Sequence, residues 1–298
     1  MSREAVDSIK SSQSNWLMDY AILFKHKLTL FVVFSAMMSY MASLSGPINW
    51  FKFALLFIGG FCITAAANTL NEVLEKDYDK LMKRTADRPL AAGRMSVSHA
   101  VFVAGVLWVL GMVCLAYFNV LASLLGALAV ISYAFVYTPL KRYSPIAVLV
   151  GAFPGAIPLL IGNVAAVGHI DQMGIFLFAI QFIWQFPHFW AIGWLGYDEY
   201  QLAGYKLIAS KDGERDPNTG IHAAIYAFLF IPLAIFGFYA GLIGFYALVL
   251  MIVSAIGFAY FGYNLFSNGT RKSALQLMFA SLVYLAIALG VVYFDKLF

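Results

Sequence analysis

Charge is scarce in this sequence: only 11% of its 298 residues are Asp, Glu, Lys or Arg, against about a quarter in an ordinary soluble domain. Cysteine is scarcer still, with two in the whole chain. Cys62 and Cys114 both fall inside apolar runs, where they read as small packing residues. That excludes a disulfide framework and a structural zinc site. There is no Walker loop, no Gly-rich dinucleotide turn and no HExxH pair, which removes the commonest nucleotide and metalloprotease chemistries. The first sixteen residues lack the apolar core of a signal peptide and, with Glu4 and Asp7, the acid-poor character of a transit peptide. They read as a short disordered cytoplasmic tail, residues 1–16, ahead of a single domain at 17–298, and they favour a bacterial plasma membrane over an organelle.

What is abundant is apolar. Hydrophobic residues make up 62% of the chain and the mean hydropathy is +0.81. A span needs about 20 apolar residues, and nine such runs are present, near 28–45, 50–70, 99–118, 119–139, 146–167, 172–195, 219–240, 242–266 and 273–294. The expected fold is all-α, a polytopic membrane bundle of about nine transmembrane helices. Pro154, Pro158 and the glycines of VGAFPGAIPLLIG interrupt the fifth run. Membrane helices tolerate such breakers, and the glycines suit close helix packing or the approach of a flat ligand. Met37, Met38 and Met41 are expected to face lipid or fill the core.

The basic residues are lopsided. With nine crossings, 17 of the 19 Lys and Arg fall on one face, and only Lys52 and Lys296 on the other. The positive-inside rule makes the richer face cytoplasmic, with the N-terminus inside and the C-terminus outside. The formal charge of +4 therefore reflects topology, and no nucleic-acid partner is implied.

The densest charge lies in Asn68–Arg94, NTLNEVLEKDYDKLMKRTADRPLAAGR, which holds five acidic and six basic residues. On a helix turning about 100° per residue, Asn68, Asn71, Glu72, Glu75 and Asp79 share one face and Asp77 points elsewhere. Glu75 and Asp79, one turn apart, could supply carboxylates to a magnesium ion, and Asn71 a carbonyl oxygen. Magnesium commonly takes one or two carboxylates plus substrate phosphates. Arg84 and Arg88 could then grip a diphosphate. Lys141, in YTPLKR, could reach the same face, although Lys141 and Arg142 serve equally well as topology anchors.

A second acidic cluster follows WQFPHFWAIGWLGYDEYQLAGYK, four spans further on, so it belongs to the same face. Asp198 and Glu199 could hold a second magnesium, and Tyr200 could donate to a phosphate or cover a cation with its ring. His188 lies within a span, where an ionisable residue is a functional candidate by default; a hydrogen bond to a neighbouring helix is the equal alternative. Asp212, Glu214 and Asp216 read as an exposed loop tip.

Asn71-x-x-x-Glu75-x-x-x-Asp79, with Arg84-Thr85 and Arg88-Pro89-Leu90 behind it, resembles the first aspartate-rich motif of the UbiA-type membrane prenyltransferases. That pattern usually carries Asp where Glu75 stands. Residues 137–162 and 184–205 look like the branch of that superfamily that farnesylates haem. Lys25-His26-Lys27 departs from the Lys-Pro-Arg common there before the first span. The resemblance implies a nine-helix bundle in the inner membrane, magnesium as cofactor, and farnesyl diphosphate and haem b as substrates. Its product would be haem O for terminal-oxidase haem, with haem A synthase or oxidase assembly proteins as partners. It also implies Asn71, Glu75, Asp79, Lys141, Asp198 and Glu199 as the catalytic set, and Asn68, Arg84, Arg88, Tyr137, His188 and Tyr200 as substrate-binding residues.

Three readings compete, one of them a non-catalytic assembly factor for a respiratory oxidase, which would not need the aligned Asn71, Glu75 and Asp79. A prenyltransferase of the same fold could use 4-hydroxybenzoate or a naphthoate as acceptor, and only residues 184–205 speak against it. A transporter would place carboxylates near mid-membrane, whereas here they gather at one face.

Overall fold

Helix follows helix along this chain because a segment in hydrocarbon can satisfy its backbone only internally. The computed structural model describes residues 16–211 and 213–296. Residues 1–15 of the expected tail, and Asp212 of the loop tip, lie outside the described residues. The helices are α1 (Trp16–Leu23), α2 (His26–Ser43), α3 (Trp50–Asp79), α4 (Val97–Ala116), α5 (Val120–Leu140), α6 (Ala147–Val167), α7 (Gln172–Leu195), α8 (Tyr197–Leu202), α9 (Thr219–Tyr239), α10 (Phe245–Asn268) and α11 (Arg271–Asp295). Glu214 belongs to a small hairpin, β1 (Ser210–Lys211) against β2 (Glu214–Arg215). Among the described residues, eight helices are long and apolar enough to cross a membrane; α1 and α2, bent by 50° at their junction, make a ninth if counted as one span.

Polar residues punctuate the chain where the spans begin. Asn49, Ser96, Asn119, Asp171 and Thr270 each accept a backbone N–H from the first turn of the helix that follows, a cap worth about 1 kcal/mol. Gly168, with φ of +90°, ends α6 in the left-handed conformation that glycine adopts freely.

The bundle has two apolar cores joined by α2. Val33, Met37 and Tyr40 face one core with α3–α6; Met38 and Ala42 face the other with α7 and α9–α11. The methionines expected to be lipid-facing or core filler are therefore filler. The glycines of α6 serve packing: a Cβ on Gly162 would collide with the Ala36 carbonyl oxygen of α2, and one on Gly155 with the Gln185 side chain of α7.

Two departures from the sequence expectation matter for the site. The second apolar run does not end its helix near residue 70, since α3 runs on to Asp79, so the polar stripe extends straight out of an apolar span. The other departure is α1. It covers Trp16–Leu23, ahead of the first apolar run, and is anchored by Asp19, which pairs with Arg94 at 2.9 Å. The loops after α3 and α8 meet where Met82 packs with Ala203 and Tyr205. The two acidic loops thus lie together, as parity requires. The opposite end carries Lys296, whose Nζ donates to Ala42 O at the far end of α2.

Candidate active site

Where α3 leaves the bundle, a cavity of about 190 Å³ lies between α2, α3, α5, α6, α7 and the two long loops. Its polar lining is Lys25, Asn71, Glu75, Asp79, Arg84, Arg88 and Lys141, with the phenols of Tyr133, Tyr137, Tyr200 and Tyr205. Leu28, Val148, Phe189 and Ile192 are among its apolar walls. All five residues of the α3 stripe, Asn68, Asn71, Glu72, Glu75 and Asp79, are buried, while Asp77 is exposed and pairs with Lys80 at 3.0 Å.

The way α5 ends explains how it contributes three residues. Tyr133, Tyr137 and Lys141 follow one another at four-residue steps, the spacing that keeps side chains on one face of a helix. The segment Ser132–Tyr137 is π-helical, a wider turn that is frequent at functional sites. The rings of Tyr133 and Tyr137 lie 5.4 Å apart. Lys141 Nζ sits 4.9 Å from the centre of the Tyr137 ring and 5.4 Å from that of Tyr205.

Each cavity carboxylate is already paired with a cation. Lys141 forms an ion pair with Glu75. Arg88 donates from Nη1 to Asp79 Oδ2 at 2.7 Å, and its Nε lies 3.7 Å from Glu72 Oε1. Lys25 donates to Asn71 Oδ1, and Asn71 Nδ2 donates to Thr138 Oγ1 at 2.9 Å. Arg84 lies over the Tyr200 ring and donates to its hydroxyl at 3.4 Å. Burial alone would lower the Arg88 pKa, but Asp79 and then Glu72 hold it above its ordinary value. Burial, then the Glu75 and Asp79 charges, push the Tyr205 phenol up, so it stays a neutral donor. Its hydroxyl is buried without a hydrogen-bond partner.

Eight expected site residues therefore line one cavity: Asn71, Glu75, Asp79, Arg84, Arg88, Tyr137, Lys141 and Tyr200. Four do not. Asn68 is spent on structure, donating to Phe24 O at 3.3 Å and Thr29 Oγ1 at 3.0 Å, which ties α3 to the bend before α2. His188 turns toward α11, with Nδ1 2.8 Å from Ser281 Oγ and its ring stacked on Trp184 at 4.5 Å. Asp198 is exposed and accepts from Arg215 at 2.7 Å, and Glu199 beside it does not reach the cavity lining either. The second magnesium expected at Asp198 and Glu199 has no counterpart in this arrangement, because the short helix α8 turns Tyr200 inward and Asp198 outward.

Sequence reasoning missed Lys25, Tyr133 and Tyr205. Lys25 comes from the bend between α1 and α2, where its φ of +47° is left-handed, unusual for a residue with a side chain. The one available signal was a basic triplet at the edge of a span.

Asn71, Glu75 and Asp79 fit a hard divalent cation. They present oxygens on successive turns of α3, and Asp79 Oδ1 is buried without a hydrogen-bond partner. Among the described residues, no three His, Cys, Asp or Glu side chains converge as a preformed metal cage. A cation here would thus take part of its coordination from a bound ligand's oxygens, the usual habit of magnesium. The lining carries four cations, Lys25, Arg84, Arg88 and Lys141, against two carboxylates, Glu75 and Asp79, a formal surplus of two positive charges.

A polytopic bundle with carboxylates and cations converging at one end defines a class of membrane enzyme. Residues 32–288 match the UbiA prenyltransferase family, and the chain belongs to it. Within that family its relatives bear a more particular name. The chain is 41% identical over 280 residues to the protoheme IX farnesyltransferase of Cytophaga hutchinsonii, covering 94% of this chain and 98% of that one. It is 37% identical to the protein of that name from Christiangramia forsetii, over 97% and 96% of the two chains. Solved structures agree on the fold. A structure from work on digeranylgeranylglyceryl phosphate synthase superposes with a TM-score of 0.77 at 18% identity, over 94% of this chain and 98% of that one. A UbiA homolog from Archaeoglobus fulgidus bound to DMAPP and Mg2+ gives 0.70 at 14% identity, over 92% and 99%.

Proposed function

We propose that this protein transfers the farnesyl group of farnesyl diphosphate to a vinyl group of haem b, giving haem O, with the diphosphate seated in the α3 cavity. The observation that carries this is the meeting of Lys25, Arg84, Arg88 and Lys141 with Glu75 and Asp79 around one small space. The acceptor rests on the relatives, which are named for protoheme IX. The cavity opens to the face that carries most of the Lys and Arg, which is the cytoplasmic face by the positive-inside rule. The N-terminus is then inside.

Magnesium held by Asn71, Glu75 and Asp79 supplies neutralising charge to the diphosphate when it is bound. Arg88 and Arg84 present guanidinium forks to the phosphate oxygens, and Lys141 and Lys25 add point charges that stabilise the developing anion. As the C–O bond to diphosphate breaks, an allylic cation remains on the farnesyl group. The faces of Tyr133 and Tyr137 offer it π-density, and the apolar wall of Leu28, Val148, Phe189 and Ile192 keeps water from quenching it early. The haem vinyl then forms a C–C bond to the farnesyl carbon. Water adds to the resulting cation and gives up a proton, leaving the hydroxyethylfarnesyl side chain. The cavity is smaller than the ~300–1,000 Å³ that enclose a drug-sized ligand, so the farnesyl chain and the haem extend from it between the helices.

Purified protein in detergent, given magnesium, farnesyl diphosphate and haem b, should form haem O, detected by mass spectrometry, and chelation of magnesium should stop it. Unchanged product in excess chelator would contradict the metal assignment.

A further inference from the structure

Glu72 lies on the α3 stripe with Glu75 and Asp79, is completely buried, and does not line the cavity. Neither of its oxygens has a hydrogen-bond partner. A buried carboxylate in that state is costly to keep, so its surroundings call for an explanation. Two cations face it, Lys25 and Arg88, and Arg88 makes the closer defined approach, with Nε 3.7 Å from Glu72 Oε1 while its Nη1 is bonded to Asp79 at 2.7 Å. Arg88 is therefore held from two sides, by one carboxylate that reaches the cavity and one that does not.

We infer that Glu72 is a positioning residue, the fixed counter-charge that keeps Arg88 aimed at the diphosphate once Asp79 has turned to the metal. The inference rests on the proposed diphosphate site. An arginine whose only anchor was Asp79 would be held less firmly at the moment it is needed, because a divalent cation on the free Oδ1 draws on the same carboxylate charge that Oδ2 offers the guanidinium. Glu72 is not drawn on in this way, since it has no access to the cavity. Its approach to Nε leaves the outer edge of the guanidinium free for phosphate oxygens. The unsatisfied oxygens fit a group whose partner tightens on ligand binding: loosened from Asp79, Arg88 can move the last part of an ångström onto Glu72.

The test is a double-mutant cycle read by binding, not by turnover. Inorganic pyrophosphate with magnesium is titrated calorimetrically into the wild type, Glu72→Gln, Arg88→Gln and the double variant, with melting temperatures taken alongside. Glu72→Gln should weaken binding about tenfold, the scale of a charge-assisted contact, and should cost nothing further once Arg88 is Gln. Glu72→Asp should recover part of the loss. Affinity within about twofold of wild type, with or without a lowered melting temperature, overturns the inference and leaves Glu72 a structural residue. An equal loss in the presence and absence of Arg88 also overturns it. If the wild type itself does not bind pyrophosphate with magnesium, the diphosphate site fails, a different outcome from either.

Discussion

Arg88 Nη1 donates to Asp79 Oδ2 across 2.7 Å, binding the residue expected to grip phosphate to one expected to hold the metal. The Lys141–Glu75 pair repeats the arrangement one turn back along α3. Without ligand, each cavity carboxylate is paired with a cation, and a magnesium ion bound there would share that carboxylate's charge and loosen the pair. Each cation is thereby made more available to the diphosphate. Removing one member of such a pair therefore strands its partner in a buried setting, a cost that conservative variants separate from loss of chemistry.

Glu75→Ala and Asp79→Ala should each lower product formation at least about a hundredfold, with Glu75→Gln and Asp79→Asn close behind although their shape is preserved. Product by mass spectrometry and melting curves in detergent check this. Turnover near wild type in both amide variants would remove these carboxylates from the chemistry.

Lys25→Ala should weaken pyrophosphate binding about tenfold and Lys27→Ala hardly at all. Only Lys25 reaches the cavity and bonds to Asn71, while Lys27 is exposed. Equal effects in a titration would mean that the basic triplet acts through general surface charge.

Asp198→Asn should leave turnover within about twofold and stability within about 0.5–1 kcal/mol, because an exposed ion pair such as Asp198–Arg215 contributes little. A hundredfold loss in the same assay would restore Asp198 to the metal site.

Gly162→Ala should cost about 1–3 kcal/mol, since the new methyl has backbone against it and α2 cannot yield without disturbing both cores. Gly257→Ala, on a face of α10 where a Cβ meets nothing within 4 Å, should hold or gain a few tenths of a kcal/mol through helix propensity. Melting temperatures of the two variants in one detergent decide it.

Much of this was legible in the sequence because a bilayer leaves so few options. Run lengths and loop charge gave the crossings, and a 100° periodicity placed Asn71, Glu75 and Asp79 on one buried face. The misses share a cause. A polar residue inside a helix looks the same whether it faces a ligand or another helix, so Asn68 and His188 read as site residues although they bond to the α2 bend and to α11. Asp198 and Tyr200 are two apart on a six-residue helix, and nothing local says which turns inward. Lys25 depends on a left-handed residue at a bend, set by packing far along the chain. That α3 carries its stripe to Asp79 without a break from the apolar span is a matter of burial, since hydropathy alone ends the span near residue 70.

The most direct test is a competition in one vessel. Purified protein receives magnesium and farnesyl diphosphate with equal concentrations of haem b and 4-hydroxybenzoate, and the products are separated by mass. Haem O should be the dominant prenylated product, and it should disappear in Glu75→Gln. Prenylated 4-hydroxybenzoate with haem b left unchanged would contradict farnesyl transfer to haem while leaving the diphosphate site standing.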